Sequence, residues 1–362
     1  MDPFSESYAE ARARFRERAA ALGGALCAHE NTAVRGPAGE RLTADVARFG
    51  PAGAGRVLLV VAGTHGIEGF CGSAAMLAWL ETGAPALPPD TAVVMIHGIN
   101  PWGFAHRSRT TENNVDLNRN FVDHTGPAPE NPVYAELHAA LCPGEWSDAT
   151  VAAAKAVVES FVARNGRAML SDYLRRGQYT HPSGLNYGGR AREWSNRILE
   201  MVVATEMAGA GRVAFIDWHT GLGQRGEDFF ICFNEKGTPE FAQCVRWWGA
   251  AKVDREKAFE GEDRPRYTGL VFHGTADYLK GRPMAGAVIE FGTRTGVEMR
   301  EALRADRWLK FACRDRTAPV ARALEADIFE AFCPRDEAWR RTVVDASRRI
   351  HAEALAGLGS WG

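Results

Sequence analysis

The chain has 362 residues, 46% hydrophobic and 24% charged, and its 43 basic and 45 acidic residues are mixed to a formal charge of −2. That balance belongs to a globular protein with a substantial core, and it offers neither a basic stripe for nucleic acid nor a polybasic run for a membrane surface. Seven cysteines, at positions 27, 71, 142, 232, 244, 313 and 333, form no CxxC and no disulfide framework, so they read as small buried apolar residues in a reducing compartment.

The N-terminus is charged from its second residue and holds no apolar segment of signal-peptide length, so export is not expected and the protein reads as cytoplasmic. Phe4, Tyr8, Phe15 and Leu22 recur at helical spacing and Ser7 pairs with Glu10 as a capping box, which predicts an amphipathic helix over 4–22. Residues 42–49 alternate apolar and polar and predict a half-buried strand, antiparallel or near an edge. The glycine-rich stretch 50–55 is a turn that lacks the Lys-Ser/Thr of a phosphate loop. Residues 57–61, 92–96, 213–216 and 288–291 are uninterrupted apolar runs, the pattern of strands covered on both faces. Helical patterns occupy 70–80, 150–173, 192–207, 241–250 and 336–358. Strand and helix alternating in this way predict an α/β fold: an αβα sandwich around a mostly parallel mixed sheet. We expect a single domain over 1–362, with helices 4–22 and 336–358 packed on it and an insertion at about 125–210. No stretch is long and apolar enough to span a membrane.

In open parallel sheets chemistry gathers at the carboxyl ends of the strands. The run 57–61 ends in Ala62-Gly63-Thr64-His65-Gly66-Ile67-Glu68-Gly69, where an H-x-x-E on a glycine-flanked turn can aim an imidazole and a carboxylate at one ion. Alone, that pair is as readily a helix start with a solvated glutamate. His219 closes the apolar segment Phe215-Ile216-Asp217-Trp218-His219, a place where a lone histidine is more often a packed core residue. Together, two imidazoles and one carboxylate make the ligand set of a hydrolytic zinc site. Asp217, two residues before His219, is a candidate for a second metal or a structural role. Glu290 closes the run 287–291, and burying a carboxylate there is costly unless its charge is used. Beside a metal-activated water it would be the general base; otherwise it would cap a neighbouring helix. The segment from His106 to Phe121 is dense in arginine and asparagine. One arginine of it can stabilise an oxyanion and another can grip a carboxylate, although by itself the segment would be a surface loop with ion pairs.

In this order the motifs HGIEG, NPWGF, R-x-x-x-N-N-V-D-L-N-R-N-F, D-W-H-T-G and V-I-E-F-G-T resemble the zinc carboxypeptidase (M14) superfamily. More closely, they are similar to its bacterial branch of M14-type metallopeptidases carried under a domain of unknown function, DUF2817. The resemblance covers about residues 55–295. It implies a carboxypeptidase-like fold and one zinc ion per chain on His65, Glu68 and His219, with Glu290 as the catalytic glutamate. It implies that Asn118 and Arg119 bind the substrate's terminal carboxylate and that Asp116 hydrogen-bonds a ligand imidazole. Arg109 is the match for the arginine that polarises the carbonyl, with Arg107 a near alternative. A mobile tyrosine of the superfamily would correspond to Tyr267, and Tyr179, in the tyrosine-rich loop 177–189, is a rival. The implied activity is hydrolysis of an amide bond in a small peptide or N-acyl amino acid bearing a free carboxylate. Aspartoacylase- and desuccinylase-like deacylases share these motifs. A non-catalytic binding module would need a lost ligand or base, and every one is present. No G-x-S-x-G or H-E-x-x-H occurs. The partner expected is a small-molecule or short-peptide substrate, with no nucleic acid and no membrane; homo-oligomer formation is left open.

Overall fold

The computed structural model describes residues 2–83, 86–254 and 266–362. Seven strands, β1 (Ala25–Arg35), β2 (Arg41–Phe49), β3 (Arg56–Ala62), β4 (Thr91–His97), β5 (Arg212–Thr220), β6 (Asp228–Cys232) and β7 (Met284–Phe291), form one sheet in the order β1-β2-β4-β3-β5-β7-β6. The four apolar runs are its parallel centre, β4, β3, β5 and β7. β1, β2 and β6 pair antiparallel at the flanks. β4 and β7 are buried at every position, as strands between two helical layers must be.

The helices are α1 (Tyr8–Ala21), α2 (Gly69–Leu80), α3 (Pro101–Ala105), α4 (Pro132–Leu141), α5 (Asp148–Asn165), α6 (Arg167–Arg176), α7 (Trp194–Glu206), α8 (Pro239–Trp248), α9 (Ala250–Val253), α10 (Val271–Tyr278), α11 (Gly296–Phe311), α12 (Pro319–Phe332) and α13 (Glu337–Gly359). Alternate residues of the central strands serve two cores. Leu58, Val60, Ile216, Trp218 and Ile289 meet α1, α2, α8 and α13 on one face. Val57, Leu59, Val61, Val213 and Phe215 meet α7 and α10 on the other. The αβα sandwich with a mixed, centrally parallel sheet is therefore the architecture.

Some local expectations change. The Ser7 hydroxyl accepts the Glu10 N–H at 3.2 Å, but the Glu10 carboxylate takes the Glu6 N–H at 2.9 Å, so the capping box forms only its first half. The single helix expected over 150–173 breaks at Gly166 (φ 86°) into α5 and α6. Five cysteines are buried as expected, whereas Cys27 is exposed and Cys313 half-buried; all seven are free thiols. Among the described residues no helix is long and apolar enough to cross a membrane. Of the Pro-rich loop 83–90, residues 84 and 85 lie outside those described.

The sheet order places the chemistry. β3 has β4 on one side and β5 on the other, so the connections leave it in opposite directions and a crevice opens at its carboxyl end. In the register Ala62 lies beside Trp218 and His219 beside Glu290, so β3, β5 and β7 finish level with one another.

Candidate metal centre

β3 runs into a 3-10 turn, Gly66–Glu68, that brings His65 and Glu68 to the same side. Gly66 allows the turn to lie directly on α3: a Cβ there would sit 2.0 Å from the Gly103 carbonyl carbon. Backbone bonds from Gly66 N–H to Arg109 O and from Ile67 N–H to Ser108 O, each 3.0 Å, tie the turn to the Arg109 loop. His65 Nδ1 lies 2.9 Å from Glu68 Oε1, and His219 Nδ1 lies 2.9 Å from Glu68 Oε2 and 3.1 Å from His65 Nδ1. The three ligand atoms fall within 4.8 Å of one another, and all three side chains are buried.

Behind each imidazole stands a carboxylate. His65 Nε2 donates to Asp116 at 3.1 Å, and His219 Nε2 donates to Asp217 at 2.9 Å. A carboxylate there keeps the proton on Nε2 and turns the Nδ1 lone pair inward. Two inward lone pairs 3.1 Å apart, with a carboxylate against both, repel unless positive charge lies between them. Glu68 and Asp116 also face the Arg109 guanidinium, each at 3.0 Å. The Glu68 carboxyl is held far below its ordinary range; burial pushes it up, but the imidazoles of His65 and His219 outweigh burial. His219 is shifted well above the ordinary imidazole value, because Asp217 and Glu68 overcome the penalty of burial. The donor set fits a metal of the zinc type. The other oxygen of Asp217 accepts from the Thr64 hydroxyl at 2.9 Å, so this aspartate serves as the partner of His219 and stands outside the ligand cluster.

Glu290, 8% exposed, reaches the same crevice from β7 and accepts the Leu222 N–H at 3.2 Å. Burial first, and then the charge of Glu68, raise its pKa against the pull of His219. Arg109 places Nη1 at 3.0 Å from Glu68 and 2.9 Å from His65 Nδ1, and Nη2 at 3.0 Å from Asp116; its Nε is buried without a partner among the described residues. Arg107 lies elsewhere. Its guanidinium donates to Glu6 O at 2.7 Å and stacks on Phe329, so Arg109 is the arginine at the centre.

Asp116 also caps the 3-10 turn Leu117–Arg119 by accepting the Asn118 N–H at 3.0 Å. Asn118 Oδ1 accepts the Val271 N–H at 2.8 Å, which docks this turn on the start of α10. Arg119 is buried, donates from Nη1 to Asn118 O at 2.6 Å, and has an Nε without a partner among the described residues. Tyr267 lays its ring over the Arg119 guanidinium, 5.4 Å from centroid to Cζ, and its buried hydroxyl has no partner among the described residues. The Tyr179 hydroxyl is committed to the main chain, donating to Arg119 O at 2.6 Å.

Two supports were not legible in the sequence. Asp306 on α11 accepts the Arg109 N–H at 3.0 Å and the Ser108 hydroxyl at 3.1 Å, and Lys310 one turn on donates to Thr110 Oγ1 at 3.0 Å. No motif surrounds either residue. The partnership of Asp217 with His219 had a signal, since a spacing of two puts both on one face of a strand.

The fold is similar to that of bovine thrombin-activatable fibrinolysis inhibitor, solved in complex with tick carboxypeptidase inhibitor. The two share 11% identity over 99% of this chain and 98% of that one, with a TM-score of 0.53. A Shewanella amazonensis protein assigned as a metallopeptidase matches at 15% identity over 90% and 94%, TM-score 0.45. Murein-tripeptide amidase MpaA from Escherichia coli O157 matches at 18% identity over 82% and 97%, TM-score 0.36. Among curated proteins no sequence matches the chain. The family described as "Protein of unknown function (DUF2817)" matches residues 4–346, and the chain belongs to it.

Proposed function

We propose that the chain is a zinc-dependent hydrolase that cleaves an amide bond in a small peptide or N-acyl amino acid carrying a free carboxylate. The observation that carries this reading is the convergence of His65, Glu68 and His219, with the Glu290 carboxylate entering the same crevice from the neighbouring strand. His65, Glu68 and His219 would hold one zinc ion per chain, which when bound would supply the Lewis acid that brings the pKa of water down to about 7. Glu290, made more basic by burial and by Glu68, accepts the proton of the attacking water and delivers it to the departing amine. Arg109, pinned by Asp116 and Glu68, stabilises the charge that develops on the carbonyl oxygen. Arg119 Nε, and the Asn118 amide NH2 that its Val271 bond leaves over, are donors for the substrate carboxylate.

The test is metal analysis of the purified protein together with turnover on N-acyl amino acids and short peptides, each with a free or an amidated terminus. About one zinc per chain is expected from three-ligand chemistry. Chelation should abolish turnover and added zinc restore it. Cleavage confined to N-acyl amino acids would mark a deacylase, and cleavage of peptides a carboxypeptidase. A protein that takes up no metal on reconstitution, or turns over equally well without it, would end this reading.

A further inference from the structure

The loop 177–189, Gly177-Gln178-Tyr179-Thr180-His181-Pro182-Ser183-Gly184-Leu185-Asn186-Tyr187-Gly188-Gly189, has no place in the hydrolytic chemistry above, yet it is built with unusual care. Gln178, fully buried, accepts the N–H groups of Thr180 (3.0 Å) and His181 (2.8 Å) and donates to the carbonyls of His181 (2.8 Å) and Leu185 (3.2 Å). One side chain thus closes the loop on itself. Its outer carbonyls then meet the segment 114–120: Asn114 Nδ2 donates to Gly184 O at 2.9 Å, the Asp116 N–H to Tyr187 O at 2.7 Å, and Asn120 Nδ2 to Gly188 O at 2.9 Å.

Two contacts from this loop converge on Arg119. The buried Tyr179 hydroxyl holds its carbonyl at 2.6 Å. Gly177, at φ 88°, supports its aliphatic stem: a Cβ there would lie 2.6 Å from Arg119 Cδ and 2.9 Å from Cγ. Tyr267 packs against the guanidinium. A guanidinium fork recognises a carboxylate only within a narrow geometry, and a long side chain loses conformational freedom on binding unless it is held beforehand.

We propose that Gly177 and Tyr179 are positioning residues that aim Arg119, so that the loop 177–189 sets the preference for carboxylate-bearing substrates. This rests on the reading of Arg119 given under Proposed function. The zinc-loaded full-length protein is tested with an N-acetyl dipeptide bearing a free terminal carboxylate and with its terminal amide, by steady-state kinetics and calorimetric binding. Tyr179→Phe and Gly177→Ala should raise KM and Kd for the carboxylate about tenfold, the loss expected when a buried hydrogen bond or its geometry fails. Their kcat should stay within about twofold, and values for the amide should not move. Gly177→Ala also strains a positive φ; should it fail to fold, Tyr179→Phe, which deletes one oxygen and keeps the ring, carries the test, with thermal melting as the check on folding. Arg119→Ala separates the two ideas. If it leaves the carboxylate-to-amide ratio unchanged, the assignment of Arg119 itself falls. If it erases that ratio while Tyr179→Phe preserves it, or if Tyr179→Phe weakens both substrates equally, the role of the loop falls.

Discussion

Asp217 is fully buried and divides its oxygens between His219 Nε2 and the Thr64 hydroxyl, so its charge acts through the imidazole it orients. Asp217→Asn keeps the shape and removes the charge. Metal affinity, read by competition with a chromophoric chelator, should drop about 10- to 100-fold. An unaltered affinity would mean that the aspartate supports the fold alone. At Glu290 the expectation runs the other way. Glu290→Gln should retain metal and lose about 10²- to 10⁴-fold in kcat, the usual share of a general base. A variant with full turnover would remove Glu290 from the chemistry. Arg107 and Arg109 show how little separation decides a role. Arg107 adopts φ 52°, which turns its side chain towards Glu6 and Phe329, whereas Arg109 continues to His65 and Glu68.

Elements carry the site without touching it. α1 packs Tyr8, Ala11, Phe15 and Ala19 against the sheet, and its Arg12 and Arg16 meet the fully buried Asp45 on β2. Phe15 is wholly buried and stacks on His97 at 4.5 Å. Phe15→Ala should cost about 3–5 kcal/mol in denaturant unfolding, from lost burial and the cavity left behind. Because α1 packs on the sheet face opposite α10, where Asn118 docks, kcat measured well below the melting temperature should be unaffected. A fall in kcat without a fall in stability would show coupling between the two faces. α11 plays the closer part: Asp306 and Lys310 hold the backbone on either side of Arg109, so the helix after β7 braces the loop that follows α3.

For the molecule as a whole, acid stability should follow its buried neutral histidines. Burial lowers His97 and His351 to about 4, from an ordinary 6.5. The unfolded chain therefore binds protons at these positions below 6.5 while the folded chain does not bind them until near 4. Stability is complete above pH 6.5 and is lost as pH falls through that window, by up to about 3 kcal/mol for each histidine. His351 sits beside Trp79 and Trp218 and donates Nδ1–H to Ser347 O at 2.8 Å. His351→Leu should flatten the decline in melting temperature between pH 6.5 and 4.5. Parallel declines in variant and wild type would assign the acid sensitivity to other groups.

The central strands were legible from the residues, and His65, Glu68 and His219 stood out as candidate ligands only when their motifs were taken together. Burial on both faces demands unbroken apolar runs, and a histidine or glutamate that ends such a run stands out against it, as His219 and Glu290 do. β1 was hidden because its Cys27, Ala28 and Glu30 side chains face solvent or half-face it, and only its backbone pairs with β2. β6 is five residues long, too short to show a period, and α11 and α12 bury their apolar stripes mainly against each other. What only the tertiary structure decided is which distant groups meet: Tyr179 with the Arg119 carbonyl, 60 positions away, and Asp306 with Arg109, 197 away. Periodicity and burial are properties of neighbouring residues and are written locally. A hydrogen bond across such separations depends on strand order and on the crossovers between strands, which no local pattern records.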